Sequence, residues 1–450
     1  MASKFPLITL DMIAEVIDSR HKTPNYTESG YPMVRVVDIK GGELDLKDTK
    51  RVTKDIYEDF SKGRSPLAGD LIISRVGSYG NISYVSENDE FCLGQNTAFI
   101  IPNEKNHYLY YALISPFVQQ QIEDMAVGAV QKTISLKSIK NLNIPFPDLD
   151  IRNFISKTLR NIDTRISINN KINIQLEQMS QTLFKSWFVD LDPVIDNALD
   201  AGNPIPEALQ SRAELRQKVR NSANFKPLPA DIRALFPAEF EETEMGWVPK
   251  GWRIESFSEI AQLVKENVKS EDISTDVHYV GLEHLERKHI FITNYGNGSD
   301  VSSNKSAFNK GDLLFGKLRP YFHKVAITPF SGICSTDILV FRAKEKYYKS
   351  LMAMYAFTDE FVAYANLRST GTRMPRAEAK DLLKYKIILP NKNILEKFEL
   401  LLEGYWTKGQ LNNNENEQLT ALRDTLLPKL ISGELSLEDL PNLVAQTEPA

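Results

Sequence analysis

GDLIISRVGSYGNISYV, which begins at Gly69, returns as GDLLFGKLRPYFHKVAI at Gly311, an offset of 242 positions. The same offset carries Cys92 onto Cys334. Farther along, Gly128 meets Gly371, and NLNIPFP, ending at Pro147, meets YKIILP, ending at Pro390, at an offset of 243. Toward the start, Thr9, Ile13 and Ala14 match Ser256, Ile260 and Ala261 at an offset of 247, so the copies differ by a few loop residues. Self-similarity held over such a length means one structural unit encoded twice.

Short apolar runs such as YPMVRVVDI and DLIISRV, bounded by Gly, Pro and Asn, have the pattern of strands and turns. YLYYALISPFVQQQI and YKSLMAMYAFTDEFVAYA then follow with helical character. The expectation is two similar α+β domains, residues 1–148 and 247–391, neither with the Gly-rich strand-to-helix turn of a nucleotide fold.

Each copy runs on into a long helical pattern, over residues 149–189 and 392–433. In the first, Ile155, Leu159, Ile162, Ile166, Ile172, Leu176, Met179 and Leu183 recur at coiled-coil spacing. In the second, Phe398, Leu402, Tyr405, Leu419, Leu422 and Leu426 each stand 243 residues beyond a member of that set. Two matching helices need a common partner face, most simply each other. Both seams turn polar at their middles, at Asn169 and Asn170 and at Asn412, Asn413 and Asn414. A buried Asn fixes register at some cost in stability, so an antiparallel pair is expected to bring Asn169 and Asn412 together about a pseudo-twofold axis. The other reading of these asparagines is a solvated weak point in each helix. Helices of about 35 residues are about 50 Å long. An antiparallel coiled coil of that length would hold the two domains apart, and a duplex rising about 34 Å per turn could be met at two separated places.

The 450 residues carry a formal charge of −5, and the segment 190–246, with 11 acidic and 6 basic residues, accounts for all of it. That linker has six prolines, but LFPAEF and GWVPKGW are too apolar for disorder, so partial order is expected. Elsewhere the charges balance, with basic runs at matching places: Lys132, Lys137 and Lys140 between Met125 and Pro147, and Arg368, Arg373 and Arg376 between Phe361 and Ala377. Two cysteines are too few for a disulfide framework or a four-thiolate zinc site. MASKFPLITL lacks the apolar core of a signal peptide and no run of about 18 apolar residues occurs, which predicts a cytoplasmic protein without a membrane partner.

LFKSWFVDLDPV at Leu183, LFPAEFEETEMGWVPKGW at Leu235 and LRDTLLPKLISGEL at Leu422 closely resemble the specificity subunits of type I restriction-modification systems. With the repeat, the resemblance spans nearly the whole chain, up to a tail at 434–450. It implies two target-recognition domains, each reading half of a bipartite, asymmetric site in double-stranded DNA, joined by a central and a C-terminal conserved helix. It further implies two methylation subunits and, for cleavage, restriction subunits as partners. S-adenosylmethionine, ATP and magnesium are expected in those partners and no cofactor in this chain.

The residues offer little for catalysis. GDLLFGK at Gly311 follows a phosphate-loop pattern up to its lysine, then has Leu318 where Ser or Thr must hold magnesium. Asn143-Ile144-Pro145-Phe146 lacks the first proline of an adenine methyltransferase loop. His278, His284 and His289 have no regular ligand spacing. Contacts to DNA are expected from loops instead, because phosphates need only Lys, Arg or amides and base edges suit Arg and Gln. The candidates are Gln131, Lys132 and Thr133 beside Gly128, and Arg368, Thr372, Arg373 and Arg376 beside Gly371. Arg75, Ser78 and Tyr79, and Arg319, Tyr321 and Lys324, follow the two GDL strands. Surface salt bridging is the other use of such side chains, and a coiled-coil adaptor whose repeats bind proteins is the alternative function.

Overall fold

The computed structural model describes residues 3–62, 64–128, 131–244, 246–371 and 373–435. They form two compact units, one from the residues up to Ile168 with those from Glu415 onward, the other from Asn169–Asn414.

In the first unit, Leu7–Thr9 pairs with Asn143–Pro145. A four-stranded antiparallel sheet follows in the order Ala14–Asp18, Thr97–Pro102, Leu71–Ser74, Ile82–Tyr84. A three-stranded sheet sets Tyr31–Val34 between Lys50–Val52 and Cys92–Leu93, the latter pair parallel. LIIS is apolar without alternation because both faces of its strand are covered. Leu71 and Ile73 join a core with helices Tyr108–Ile114 and Pro116–Met125, whereas Ile72 faces Val34, Phe91 and Leu93 on the other side.

The second unit repeats this plan. Arg253–Ser256 pairs with Lys386–Leu389, and a four-stranded sheet runs Ala261–Leu263, Ile338–Ala343, Leu313–Gly316, Val325–Ile327. Leu313 and Phe315 face helices Lys349–Ala356 and Asp359–Leu367, and Leu314 faces a second sheet, the counterpart of the three-stranded one. That sheet has five strands rather than three, because Lys305–Phe308 and Asn267–Val268 extend it. Cys92 and Cys334, buried thiols on matching strands, are both held protonated by burial, which pushes each up to about 12.

The long helices are Leu149–Phe184 and Lys392–Ser432, and each contributes to both units. Within the first unit they run antiparallel. Arg423 Nη1 is 3.0 Å from Asp163, and Ile155, Leu159 and Ile162 share a core with Leu426, Leu430 and Ile431. Within the second unit, Asn173 donates to Asn413 Oδ1 at 2.6 Å and to the Gly409 carbonyl at 3.2 Å, and accepts from Asn412 Nδ2 at 2.8 Å. Asn169 and Asn412 are both fully buried, and Asn412 also engages Asn173 of the facing helix. The expected seam needs correction, since Met179 and Leu422, equivalent positions, are 48% and 39% exposed. The stripe turned inward is Asn173, Glu177 and Ser180.

The first helix ends in a π turn, Lys185–Val189, that buries Trp187 and Phe188. The acidic segment after it is ordered within the second unit. Helices Asp192–Ala201, Gln210–Arg220 and Ala230–Arg233 and the hairpin Phe240–Thr243/Gly246–Pro249 place Leu191, Val194, Leu209, Ile232 and Phe236 around Trp187, Phe188, Trp252 and Phe398. Its acids are partly self-neutralised, with Asp196 gripped by Arg216 at 2.6 Å and Asp200 by Arg220 and Arg233. Among the described residues no helix is long and apolar enough to cross a membrane.

Candidate nucleic-acid interface

The candidates gather in each unit where the turn after the GDL strand meets the Gly128 or Gly371 loop. In the first unit, Gly77 N donates to the Lys132 carbonyl at 3.1 Å and Ile134 N to the Arg75 carbonyl at 3.0 Å. Thr133 and Val127 exchange bonds of 2.8 and 3.0 Å. In the second, Arg319 N donates to the Pro375 carbonyl at 2.7 Å, Ala377 N to the Lys317 carbonyl at 2.9 Å, and Arg376 and Thr370 exchange two bonds of 3.0 Å. One backbone scheme, residue for residue, therefore holds both loop clusters. Gly128 (φ 121°) makes its turn possible, because a Cβ there would stand 2.4 Å from the Gln131 carbonyl oxygen.

The side chains on this shared frame differ. In the first unit Gln131 and Ser78 are exposed. Lys132 and the Tyr79 hydroxyl converge on Glu123, whose carboxyl the Lys132 ammonium holds below the usual range while the Lys132 ammonium is itself raised. The hydrogen bond to Glu123 likewise raises the Tyr79 phenol. Arg75 is only 12% exposed, paired with Asp18 and bonded to the Ile134 carbonyl at 3.3 Å, so it braces the loop. Thr133 is half-buried.

In the second unit Arg373 is exposed and Arg368 lies 5.2 Å from the Tyr364 ring centroid. Arg376 Nε donates to Asp337 at 3.0 Å, which raises its guanidinium. Lys324 Nζ donates to the Leu282 carbonyl at 2.5 Å, a bracing role like that of Arg75. Tyr321 is 47% exposed, and Arg319 sits in the left-handed region at φ 50°. Thr372 lies outside the described residues. Glu123 and Asp337 restrain two of the expected cations, and no local pattern links them, since Glu123 stands nine residues before Lys132 and Asp337 39 residues before Arg376.

The features weighed for chemistry resolve into structure. The GDLLFGK segment is a strand, Leu313–Gly316, buried at every position. Asn143–Pro145 is a strand whose Pro145 carbonyl accepts from the Tyr108 hydroxyl at 2.6 Å. His289 Nδ1 lies 2.9 Å from Glu177, His284 Nδ1 accepts from Gly281 N at 3.0 Å, and His278 packs on Phe330. Among the described residues no cluster of three His, Cys, Asp or Glu is placed to hold a metal.

Comparison with known proteins agrees with this duplicated architecture. Residues 7–178 and 249–421 match the family model described as the type I restriction modification DNA specificity domain. The chain is 25% identical over 411 residues to the type I restriction enzyme HindI specificity subunit of Haemophilus influenzae, covering 82% of this chain and 86% of that protein. It is 23% identical over 405 residues to the MjaIX specificity subunit of Methanocaldococcus jannaschii, covering 87% and 83%. The crystal structure of the type I restriction-modification S subunit from M. genitalium shares the fold with a TM-score of 0.52 at 15% identity, covering 95% of this chain and 96% of that one. Two copies of the domain, filling most of the chain, place this protein in the family of type I restriction-modification DNA specificity subunits.

Proposed function

We propose that this chain reads a two-part DNA sequence, one part with each repeated domain, for methylation subunits that carry the chemistry. The observation that carries the reading is the pair of loop clusters with one hydrogen-bond scheme and unrelated side chains, Gln131 and Lys132 against Arg368, Arg373 and Arg376. A common backbone frame docks each domain on a duplex alike, and different side chains select different bases, so the two halves of the site need not match. Arg grips guanine and Gln grips adenine through two hydrogen bonds, each worth about 1–3 kcal/mol of discrimination.

In this proposal the long helices set the unread spacer, and two methylation subunits dock on them. Leu400 and Leu411, 67% and 58% exposed on the second helix, are apolar side chains such docking would cover. S-adenosylmethionine belongs to the methylation subunits, and ATP and magnesium to restriction subunits that add cleavage.

The test is to co-express the chain with its methylation subunit and map methylated adenines by single-molecule sequencing. A split motif whose halves change separately when residues 1–148 or 247–391 are exchanged is the expected result. A four-residue insertion near Asn170 should alter the spacer. Methylation without a motif would instead support the adaptor reading.

A further inference from the structure

The turn after the buried GDL strand is built differently in the two units. The first runs Gly77-Ser78-Tyr79-Gly80, with both glycines at positive φ, 75° and 78°. The second has Arg319 and His323 at its left-handed positions, φ 50° and 51°, flanking Pro320, Tyr321 and Phe322. Closing bonds fix the correspondence: Ser74 N to the Asn81 carbonyl at 3.0 Å, and Gly316 N to the Lys324 carbonyl at 2.8 Å. The second turn thus holds one residue more, and the addition is aromatic.

Left-handed backbone strains any L side chain and persists only where neighbours over-determine it. Here His323, 4% exposed, bonds the Phe357 carbonyl through Nε2 at 3.0 Å, and its Nδ1 lies 3.2 Å from Asp359. Arg319 N is tied to Pro375 at 2.7 Å, and Pro320 restricts the first step. Held between these anchors, Tyr321 and Phe322 stay 47% and 41% exposed with ring centroids 4.8 Å apart. The loop bonded to this turn exposes Met374, and the chain from Phe361 to Ala377 has three arginines and no acid. Among the described residues, the matching turn of the first unit projects no exposed ring. Tyr79 is tied to Glu123, and a Cβ on Gly80 would stand 2.9 Å from Ile122 Cγ2.

We propose that the Tyr321–Phe322 turn is an apolar wedge that enters the base stack of duplex DNA bound to the second unit. Exposed rings beside the arginine-bearing segment 361–377 suit a polyanion with flat apolar faces within reach, and wedges of this kind unstack a base step. Half of the site would then be selected partly by how easily one step deforms, the other half by polar contacts alone. The inference rests on the proposed function.

The test uses the complete methyltransferase complex, with 2-aminopurine placed along the half-site that methylation mapping assigns to residues 247–391. Binding of the wild-type complex should brighten the probe at one step. Phe322→Ala should abolish that signal and weaken binding about tenfold, with the salt dependence unchanged because no phosphate contact is lost. Phe322→Leu should keep part of both effects, and equal melting temperatures for all three proteins would exclude misfolding. Arg373→Ala should instead lower the salt slope. Unchanged affinity and fluorescence in Phe322→Ala, with the motif intact, would overturn the wedge alone. Absence of any motif in the wild-type complex would overturn the proposed function with it.

Discussion

The two units hold the same turns with different chemistry, and the contrast shows where a duplicated fold is free to vary. At the domain-to-helix junction of the first unit, His107 N donates to Ser156 Oγ at 3.1 Å. At the equivalent place in the second, Ser350 N donates to the buried Glu399 at 2.8 Å, and Lys349 lies 3.1 Å from that carboxylate. The amide needs an acceptor in both copies, but the acceptor's charge is open so long as a cation accompanies it. The loop clusters behave likewise. Main-chain bonds between Gly77 and Lys132, or Arg319 and Pro375, do not depend on side chains, so the surface can diverge without loss of the frame.

Core truncation should separate the units most strongly. Leu159 and Leu402 are equivalent and fully buried, and either change to Ala should cost about 3 kcal/mol. All four tryptophans, Trp187, Trp247, Trp252 and Trp406, belong to the second unit. Leu402→Ala should therefore move the urea transition seen by tryptophan fluorescence, and Leu159→Ala only that seen by circular dichroism. Coincident shifts in both would mean that the units unfold as one.

The glycine loops come next. A Cβ at Gly128 would meet the Gln131 carbonyl oxygen at 2.4 Å, and one at Gly371 would meet that of Met374 at 3.2 Å. Ala should thus cost about 2 kcal/mol at 128 and about 1 kcal/mol at 371, and equal losses in thermal unfolding would deny the difference in crowding.

At the turns, Gly77→Ala should cost about 1 kcal/mol through its φ alone, because the nearest atom to the new Cβ, Gln131 Nε2, is 3.6 Å away. Arg319→Gly, the reverse change at the matching position, should stabilise the second unit by about 0.5 kcal/mol, strain relief outweighing the added freedom of the unfolded chain. A loss of stability would show that the guanidinium holds the turn.

The smallest effect is set by pH and belongs to the second unit. The hydrogen bond with Glu177 raises the His289 imidazole above its ordinary value. A raised value means stability present in full below the unfolded pKa of about 6.5 and lost as pH climbs through the folded one. His323, lowered by burial, acts in the opposite sense, losing its contribution as pH falls. The difference between wild type and Glu177→Gln isolates His289 and should be roughly a few tenths of a kcal/mol, since that ring is 41% exposed. A pH-independent difference would rule the pair out as its source.

The repeat, the α+β class, the long helices and the residues packed at their ends were legible because apolar periodicity and turn residues are local signals. Ile155, Leu159, Phe398 and Leu402 are buried as their spacing implies. Met179 and Leu422 have the same spacing and are exposed, because the helix face is decided by what Asn173 and Glu177 bond: Asn412, Asn413 and the Ile290 amide, 113 residues from Glu177. Among the candidate contacts, the sequence identified the two loop clusters through Gly128 and Gly371, whose left-handed turns only glycine makes easily. It could not say that Arg75 and Lys324 brace loops, that Glu123 restrains Lys132 and Tyr79, or that Phe322 stands in solvent. Composition and periodicity determined by themselves that one domain is written twice with a helix after each copy, since burial of an apolar face follows from local pattern. Only the tertiary structure decided which polar side chains are spent inside the protein and which remain free to meet a ligand, since a hydrogen-bond partner is chosen by proximity in space and not along the chain.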